Sequence, residues 1–442
     1  MYKNIINHLI LKILGNTRIK PENTHKKTKT SPDKRINTAT DVPDGMERAL
    51  QALLVSIFVA MLGLGVVSPI MPLYAESLGA TYTQVGLLSS AWSISRFIFS
   101  APAGRLSDTI SRKKVIMAGL GGYAAVSLLY IISWNFTSLL TFRFLHGIGS
   151  AMAIPVAMAY AADLAPNGQE GKYMGTMNLA MFGGMGMGPL IGGSLTDMFS
   201  LSAPFYVMCA GTAISLLLIL VFLPDTPPTR GTGKEKAKPS FRKILINRIL
   251  LANFVFRTVN SIGRGAIFGF LTMYISTTIA DGGLGLSVTM AGTVISFGQL
   301  SNAALQRPCG VLADKYDKNN LIVLGGILSA LGMAGFPLST TFWHLMTSRL
   351  IFSLGSALMT PAMSAIEAIE GRKYGVGTTM SVMQSSMSLG NMAGPLLSGI
   401  LADMFSLRPI FYMGTGISVI GLIIYIIIRP RGIKITESVE EL

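Results

Sequence analysis

Four polar residues recur along an otherwise apolar stretch in the second half of the chain. Asn253, Arg257, Asn260 and Arg264 are spaced at i, i+4, i+7 and i+11, which places them on one narrow stripe of a helix. Guanidinium groups hold carboxylates through charge-assisted, bidentate hydrogen bonds. The stripe therefore predicts a surface that binds an anionic organic solute and repels a lipophilic cation. The alternative is that these Arg side chains only bond backbone carbonyls of neighbouring helices.

Other polar or adaptable residues lie on apolar segments and are predicted to complete the same cavity. They are Arg96, Arg143, Asn178, Met181, Gln299, Asn302 and Gln384. No clustered nucleophile, base or metal-ligand set occurs, and no P-loop motif is present. Cys209 and Cys309 lie in apolar segments without a CxxC spacing, which indicates packing residues. We therefore expect neither an enzyme nor a bound cofactor or metal.

Acidic residues are expected at or near the ends of the apolar segments, including Asp163, Glu367 and Glu370. With no deep carboxylate to neutralise the stripe, the cavity should carry positive potential. We then expect Arg257→Gln to weaken binding of an anionic solute far more than of a neutral one, with Arg264→Gln acting in the same direction. Proton-driven export of cations would instead require a proton-binding carboxylate, with Glu47, Glu76 and Glu367 as candidates.

The composition of the chain is that of a membrane protein. The 442 residues are 50% hydrophobic and only 13% charged, and a membrane span needs about 20 mostly apolar residues. Twelve apolar runs are long enough. They lie near 50–74, 83–106, 115–134, 138–161, 173–196, 202–223, 248–276, 288–312, 321–339, 344–366, 376–401 and 408–429.

The net charge of +15 comes from Lys and Arg residues that lie mainly in the tails and in alternate loops. This distribution is typical of the topology signals of a membrane protein and not of a nucleic-acid-binding surface. This pattern places both termini in the cytoplasm. The predicted organisation is a basic, disordered cytoplasmic tail (1–45), a six-helix bundle (46–223), a cytoplasmic linker (224–247), a second six-helix bundle (248–430) and a cytoplasmic tail (431–442).

The two predicted bundles are copies of each other. Pro102 and Pro308, like Arg143 and Arg349, are 206 positions apart, and the five residues 197–201 recur identically at 403–407. A parallel repeat of this size predicts two pseudo-symmetric bundles with a binding site at their interface.

The loop after the second span carries the residues from Gly104 to Lys114, with Asp108 and Arg112 among them. It resembles the signature Gly-x-Leu-Ala-Asp-Arg-x-Gly-Arg-Arg of the major facilitator superfamily, with Thr109 and Ser111 departing from it. The second half repeats its first part as Gly310, Asp314 and Lys315. The resemblance implies a fold of twelve transmembrane helices and a conformational latch that involves Gly104, Asp108, Arg112, Asp163, Gly310, Asp314 and Lys315. A simple turn with positive-inside charges is the alternative.

Two ion pairs are predicted from topology and pseudo-symmetry. Arg112 should pair with Asp163, and Lys315 or Lys318 should pair with Glu367 or Glu370.

Helices four and five carry two further elements of the same family. Arg143 begins an Arg-x-x-x-Gly-x-Gly element, and next to it His146 is expected to be a satisfied polar residue near the membrane surface. In the fifth span Gly184, Gly188, Pro189, Gly192 and Gly193 match the motif of the antiporter branches, which include the twelve-span drug:proton exporters. Tight helix packing alone would also explain this motif.

These patterns lead to one functional hypothesis. We expect a monomeric secondary active transporter in the cell membrane that exports amphiphilic or drug-like organic solutes by alternating access, with protons as a possible coupling ion. The alternatives are an importer or exchanger of organic anions or sugars, and a transport-inactive sensor or scaffold. The partners are then a small-molecule substrate and the lipid bilayer.

Overall fold

Long apolar runs that end at polar caps fold into the helices of this chain. A computed structural model describes residues 44–164, 170–225, 241–371, 373 and 376–429. The predicted basic tail up to residue 43, the greater part of the predicted linker (226–240) and the C-terminal tail lie outside the described residues. Within that linker, residues 241–246 are helical.

The described residues form fifteen helices. In chain order they are α1 (Asp44–Val67), α2 (Met71–Ser77), α3 (Tyr82–Thr109), α4 (Arg112–Ile131), α5 (Phe136–Leu164), α6 (Glu170–Met198), α7 (Ala203–Phe222), α8 (Phe241–Ile246), α9 (Arg248–Gly263), α10 (Gly265–Ser276), α11 (Val288–Lys315), α12 (Lys318–Leu338), α13 (Phe342–Gly371), α14 (Val376–Met404) and α15 (Leu407–Ile428).

Side chains at the helix starts satisfy backbone N–H groups that have no partner within the helix. Thr81 and Gln84 form a reciprocal capping box at α3. Asn247 Oδ1 accepts hydrogen bonds from two N–H groups of α9, and Ser287 Oγ accepts one from α11. These caps fix where the polar connections end and the membrane-crossing helices begin.

Each predicted span corresponds to helical structure, but the first and seventh are divided. The first is broken between α1 and α2 at 68–70, next to Pro69, and the seventh is broken between α9 and α10 at Arg264. The expectation of one continuous seventh helix was therefore wrong. Arg264 occupies the break at the N-cap position of α10, and its side chain makes no capping hydrogen bond there.

Within the described residues, seven helices are long and apolar enough on their own to cross a membrane: α1, α4, α5, α7, α12, α13 and α15. The other long helices, α3, α6, α11 and α14, face the other half of the protein, because α3 packs on α14 and α6 packs on α11. Their polar residues are tolerated because they contact protein and a cavity in place of lipid.

The two halves, α1–α7 and α8–α15, repeat each other in packing as well as in sequence. Gly119 and Gly149 bring α4 and α5 into backbone contact, and Gly325 and Gly355 do the same for α12 and α13. The repeat also includes α1 and α10, because Gly65 of α1 packs on Gly188 and Gly265 of α10 packs on Gly394.

Lipid-facing surfaces lie on α7 and α15. Large apolar side chains such as Leu217, Val221, Ile423 and Ile427 are exposed on them. Apolar exposure of this extent is expected for helices at the membrane periphery, since the acyl chains cover these side chains.

Candidate substrate cavity

Among the residues that the structure describes, the halves share a hydrophobic core at one end of the bundle. There Val67 and Phe205 of the first half belong to the same buried cluster as Phe270 and Phe411 of the second half. Towards the other end each half has its own cluster, one around Leu120 and one that belongs to the second half alone. The halves therefore meet at one end, here called the closed end, and separate towards the other, called the open end.

Small residues allow the contact at the closed end. Gly86 of α3 packs on the backbone of Pro395 in α14, and its repeat equivalent Gly292 of α11 packs on Pro189 in α6. Ser90 Oγ also donates to the Met392 carbonyl at 2.6 Å. A side chain at either glycine would collide with the opposite backbone, so both glycines are required for closure.

Two carboxylates cap helices of the opposite half at the closed end. Asp403, at the end of α14, accepts hydrogen bonds from the N–H groups of Tyr82 and Thr83, each at 2.8 Å. Asp197, at the end of α6, accepts one from the N–H of Thr289 at 2.7 Å. Burial acts to raise the pKa of Asp403, but hydrogen bonds from Thr83 and Tyr82 outweigh it and lower the pKa overall. The carboxylate is thus charged at neutral pH and faces the positive end of a helix dipole.

The open end holds the loop signatures. Gly104 and Gly310 have open space where a side chain would extend. Arg112 Nε lies 2.7 Å from Asp163 Oδ2, so the predicted pair is present. The side chains of Asp108 and Asp314 lie outside the described residues. Lys315 is exposed at the end of α11.

The residues of the antiporter-type motif pack against two partners. Gly184, Gly188 and Gly192 contact α1 of their own half, whereas Gly193 lies against Val288 of the other half. Since Pro189 also faces the other half, this motif forms part of the contact that closes the bundle.

The helix stripe on α9 is not the free cationic surface that the sequence predicted. Arg257 Nη2 lies 3.1 Å from Glu367 Oε1, and the Glu367 side chain is only 1% exposed. The expectation that no carboxylate neutralises the stripe was therefore wrong, although Glu367 lies near the end of α13. The reason is that α13 continues to Gly371, beyond the predicted end at 366, so that Glu367 lies inside a helix.

The predicted pairing of Lys315 or Lys318 with Glu367 or Glu370 was also wrong. Glu367 pairs with Arg257, and Glu370 Oε2 lies 3.0 Å from Lys373 Nζ and 2.9 Å from Asn247 Nδ2.

Two of the predicted cavity amides instead join helices within the second half. Asn253 is fully buried and donates to the Met363 carbonyl of α13 at 3.4 Å, while Asn302 donates to the Ser353 carbonyl at 3.3 Å. Asn260 is also buried. The structure therefore brings Asn253 and Asn302 to helix contacts and buries Asn260, so the three do not form a common open surface.

The remaining predicted residues divide between α6, α11 and α14. Asn178 and Gln384 are exposed at positions related by the repeat, and Met181 and Gln299 are half-buried. Gln299 lines a pocket between the halves.

Aromatic and imidazole groups surround the cations of the first half. The guanidinium carbons of Arg96 and Arg143 lie 5.3 and 5.7 Å from the centre of the Trp92 ring. Arg143 Nη1 is 3.5 Å from His146 Nδ1, which Tyr130 Oη approaches to 2.8 Å. His146 is fully buried within α5.

Arg349 is a cavity residue that the sequence analysis did not select. It lies on α13, is 5% exposed and lines the same pocket as Gln299. Its position 206 residues after Arg143 was the signal that could have identified it.

A sequence model described as the Major Facilitator Superfamily matches residues 53–281 and 254–441. The chain belongs to the Major Facilitator Superfamily. It is thus a multi-pass membrane transporter with the fold of two six-helix bundles that the sequence predicted, and its substrate is a small molecule.

Two relatives and one solved structure show what this superfamily member resembles. An uncharacterized MFS-type transporter of Methanocaldococcus jannaschii is 29% identical over 390 residues, covering 86% of this chain and 98% of the relative. The quinolone resistance protein NorA of Staphylococcus aureus is 26% identical over 398 residues, covering 89% and 100%. The crystal structure of a bacterial homolog to the human lysosomal transporter Spinster, inward-facing and unoccupied, superimposes with a TM-score of 0.72 at 16% identity, covering 87% and 96%.

Proposed function

We propose that this protein is a secondary active exporter of amphiphilic organic solutes that works by alternating access of its two halves. The observation that carries the proposal is the difference between the two ends. The halves share a core and cap each other's helices at one end, whereas Gly104 and Gly310 are unopposed at the other. A cavity that opens at one end only is what one state of an alternating-access cycle requires.

Loop charges give this geometry a direction. The Lys and Arg residues concentrate at the open end, for example in the loop that contains Arg105 and Arg112, and the positive-inside rule then places this end in the cytoplasm. Both termini would lie on the same side. The resemblance to a protein named for quinolone resistance favours outward movement of the solute.

Glu367 is the candidate for coupling to protons. It is a buried carboxylate within the second bundle, and its partner Arg257 belongs to a helix that contacts α14 of the same bundle. Protonation would release Arg257 from the pair, so that a change in charge could alter the packing of the divided α9–α10. An anion or sugar exchanger and a transport-inactive sensor are the competing functions.

Reconstituted protein would test the proposal. We expect proteoliposomes with an imposed proton gradient to move an amphiphilic solute against its gradient, and expect counterflow without the proton gradient. A sensor or scaffold would show neither activity. Exchange of sugars or anions without any response to protons would favour the importer or exchanger.

A reversible crosslink tests alternating access separately. The Leu190 N–H donates to Ser296 Oγ across the closed end at 2.9 Å. In a background with Cys209→Ser and Cys309→Ser, oxidation of Leu190→Cys with Ser296→Cys should stop transport, and a reductant should restore it. Transport that continues with the crosslink formed would overturn the rocking mechanism.

A further inference from the structure

Arg349 is a buried cation that forms no ion pair with any residue in the described part of the chain. Among the residues that the structure describes, its Nε and Nη1 atoms have no hydrogen-bond partner. The side chain is held in place, because it lies against Gly298, where any side chain would collide with it, and its guanidinium carbon is 5.5 Å from the centre of the Phe352 ring. An unpaired guanidinium in a membrane interior is costly, so a position of this kind indicates a function.

The guanidinium lines a pocket to which both halves contribute. Ser68 and Pro189 come from the first half, and Thr272, Gln299 and Arg349 come from the second. Pro189 also packs on Gly292 at the closed end. Separation of the halves would therefore dismantle this pocket, as expected for a site that releases its ligand during a transport cycle.

The polar groups of the pocket suit an anion. Its lining offers a guanidinium, an amide and two hydroxyl groups as donors and contains no carboxylate. Glu367, eighteen residues further along α13, is about 27 Å away at 1.5 Å per residue, and it is already paired with Arg257.

We propose that this pocket, hereafter the Arg349 pocket, binds the carboxylate or sulfonate group of an otherwise apolar organic substrate. At about 30 Å³ the cavity has room for the anionic group alone, next to the apolar side chains of Ile267, Ile295 and Met185. The proposal rests on the proposed transport function and adds the substrate class to it. It also moves the anion site from the stripe on α9, where Glu367 neutralises Arg257, to α13.

Ligand-induced stabilisation of the purified protein tests the site. The probes are 2-naphthoate, its neutral analogue 2-naphthylmethanol and its cationic analogue 2-naphthylmethylamine, each measured by the shift in melting temperature. We expect the anion to bind most tightly to the wild type. In Arg349→Gln its affinity should fall about tenfold or more, with the neutral analogue unchanged, because a charge-assisted hydrogen bond is lost.

Further variants separate recognition from folding. Arg307→Gln removes an exposed cation of the neighbouring α11 and should bind 2-naphthoate like the wild type. Arg349→Lys keeps the charge but loses the bidentate geometry, so intermediate affinity is expected. Gln299→Leu removes a second donor, and it should weaken anion binding even if Arg349→Gln does not fold.

Three results would overturn the proposal: no binding of 2-naphthoate by the wild type, equal affinity in wild type and Arg349→Gln, or preference for the cation. Counterflow of the neutral analogue in the same preparations tests transport independently. Binding of 2-naphthoate without any counterflow would refute the transport function and leave the anion site standing. Counterflow of the neutral analogue, together with no effect of Arg349→Gln on anion binding, would refute the anion site and leave the transport function standing.

Discussion

Removal of the carboxylate of Asp403 should open the closed end to a measurable extent. The carboxylate accepts two backbone hydrogen bonds from the start of α3 in the other half, each at 2.8 Å. Loss of a side-chain cap typically costs about 1 kcal/mol, within a range of about 0.5–2. Since about 1.4 kcal/mol is a tenfold change in an equilibrium, Asp403→Ala should shift the ratio of closed to open molecules about fivefold.

The two caps should act independently, because they join different helix pairs. Asp197→Ala removes the cap on α11, and the double variant should shift the ratio by about 2 kcal/mol, or about 30-fold. Asp403→Asn keeps a side chain that caps well but loses the charge opposite the helix dipole. It should therefore shift the ratio only by about two- to fivefold, equivalent to about 0.3–1 kcal/mol.

Distances between spin labels report this equilibrium directly. Phe199 and Phe405 are exposed at equivalent positions at the closed end of the two halves. Labels on cysteines at both sites, with Cys209 and Cys309 replaced by Ser, should show a second, longer distance whose population rises in the Asp403 variants.

Asp281 provides a matched control at the same end. This exposed carboxylate has a hydrogen bond with Thr278 of its own half. Asp281→Ala should leave the distance distribution unchanged, although it removes the same charge. An unchanged distribution in the double variant of Asp197 and Asp403, or an equal change in Asp281→Ala, would refute the role of the caps.

Three further predictions concern charges elsewhere in the bundle. Asp108→Asn should abolish or severely slow transport with normal expression, and wild-type exchange rates would contradict this. Removal of the Arg112–Asp163 pair should change the melting temperature little, since partly exposed pairs contribute about 0–1 kcal/mol, but should alter the spin-label distances. Arg257→Gln or Glu367→Gln alone should destabilise the protein by up to about 3–5 kcal/mol, because each leaves a buried charge without its partner. The double variant should recover most of this stability in thermal unfolding. Additive losses would show that the two charges do not interact.

Hydropathy and internal repetition were sufficient to predict the fold. Continuous apolar runs can cross the bilayer only as helices, so the positions of the spans follow from composition. The breaks at 68–70 and at Arg264 were not predicted, because an apolar run looks the same whether its helix is continuous or divided. At Arg264 there is also no proline to indicate the break.

The charge balance of the cavity could not be predicted from one sequence. Glu367 was assigned to a helix end because the apolar run stops at 366, whereas the helix continues to Gly371. The contacts of Asp197 and Asp403 were missed for a different reason. Their repeated surroundings were visible, but a carboxylate that caps a helix of the opposite half is apparent only once the halves are placed together.

Differences between the two halves explain why the anion site lies on one side of the pseudo-symmetry axis. Arg143 and Arg349 occupy equivalent positions, but Arg143 has His146 Nδ1 at 3.5 Å. The equivalent of His146 in the second half is Phe352, whose ring lies beside the guanidinium and has no hydrogen-bond acceptor. Arg349 is therefore left available for a ligand, whereas Arg143 already has the imidazole of His146 as a hydrogen-bond partner.

This difference can be removed by one substitution. Phe352→His should give Arg349 an acceptor that competes with an anionic ligand, provided that the imidazole is neutral, as it is at pH 8. A competing hydrogen bond of about 1 kcal/mol would weaken 2-naphthoate binding about fivefold and leave 2-naphthylmethanol binding unchanged. The matched change His146→Phe in the first half should not weaken the anion. Equal effects of both substitutions on the anion, or no effect of Phe352→His, would mean that the availability of Arg349 does not determine which solute binds.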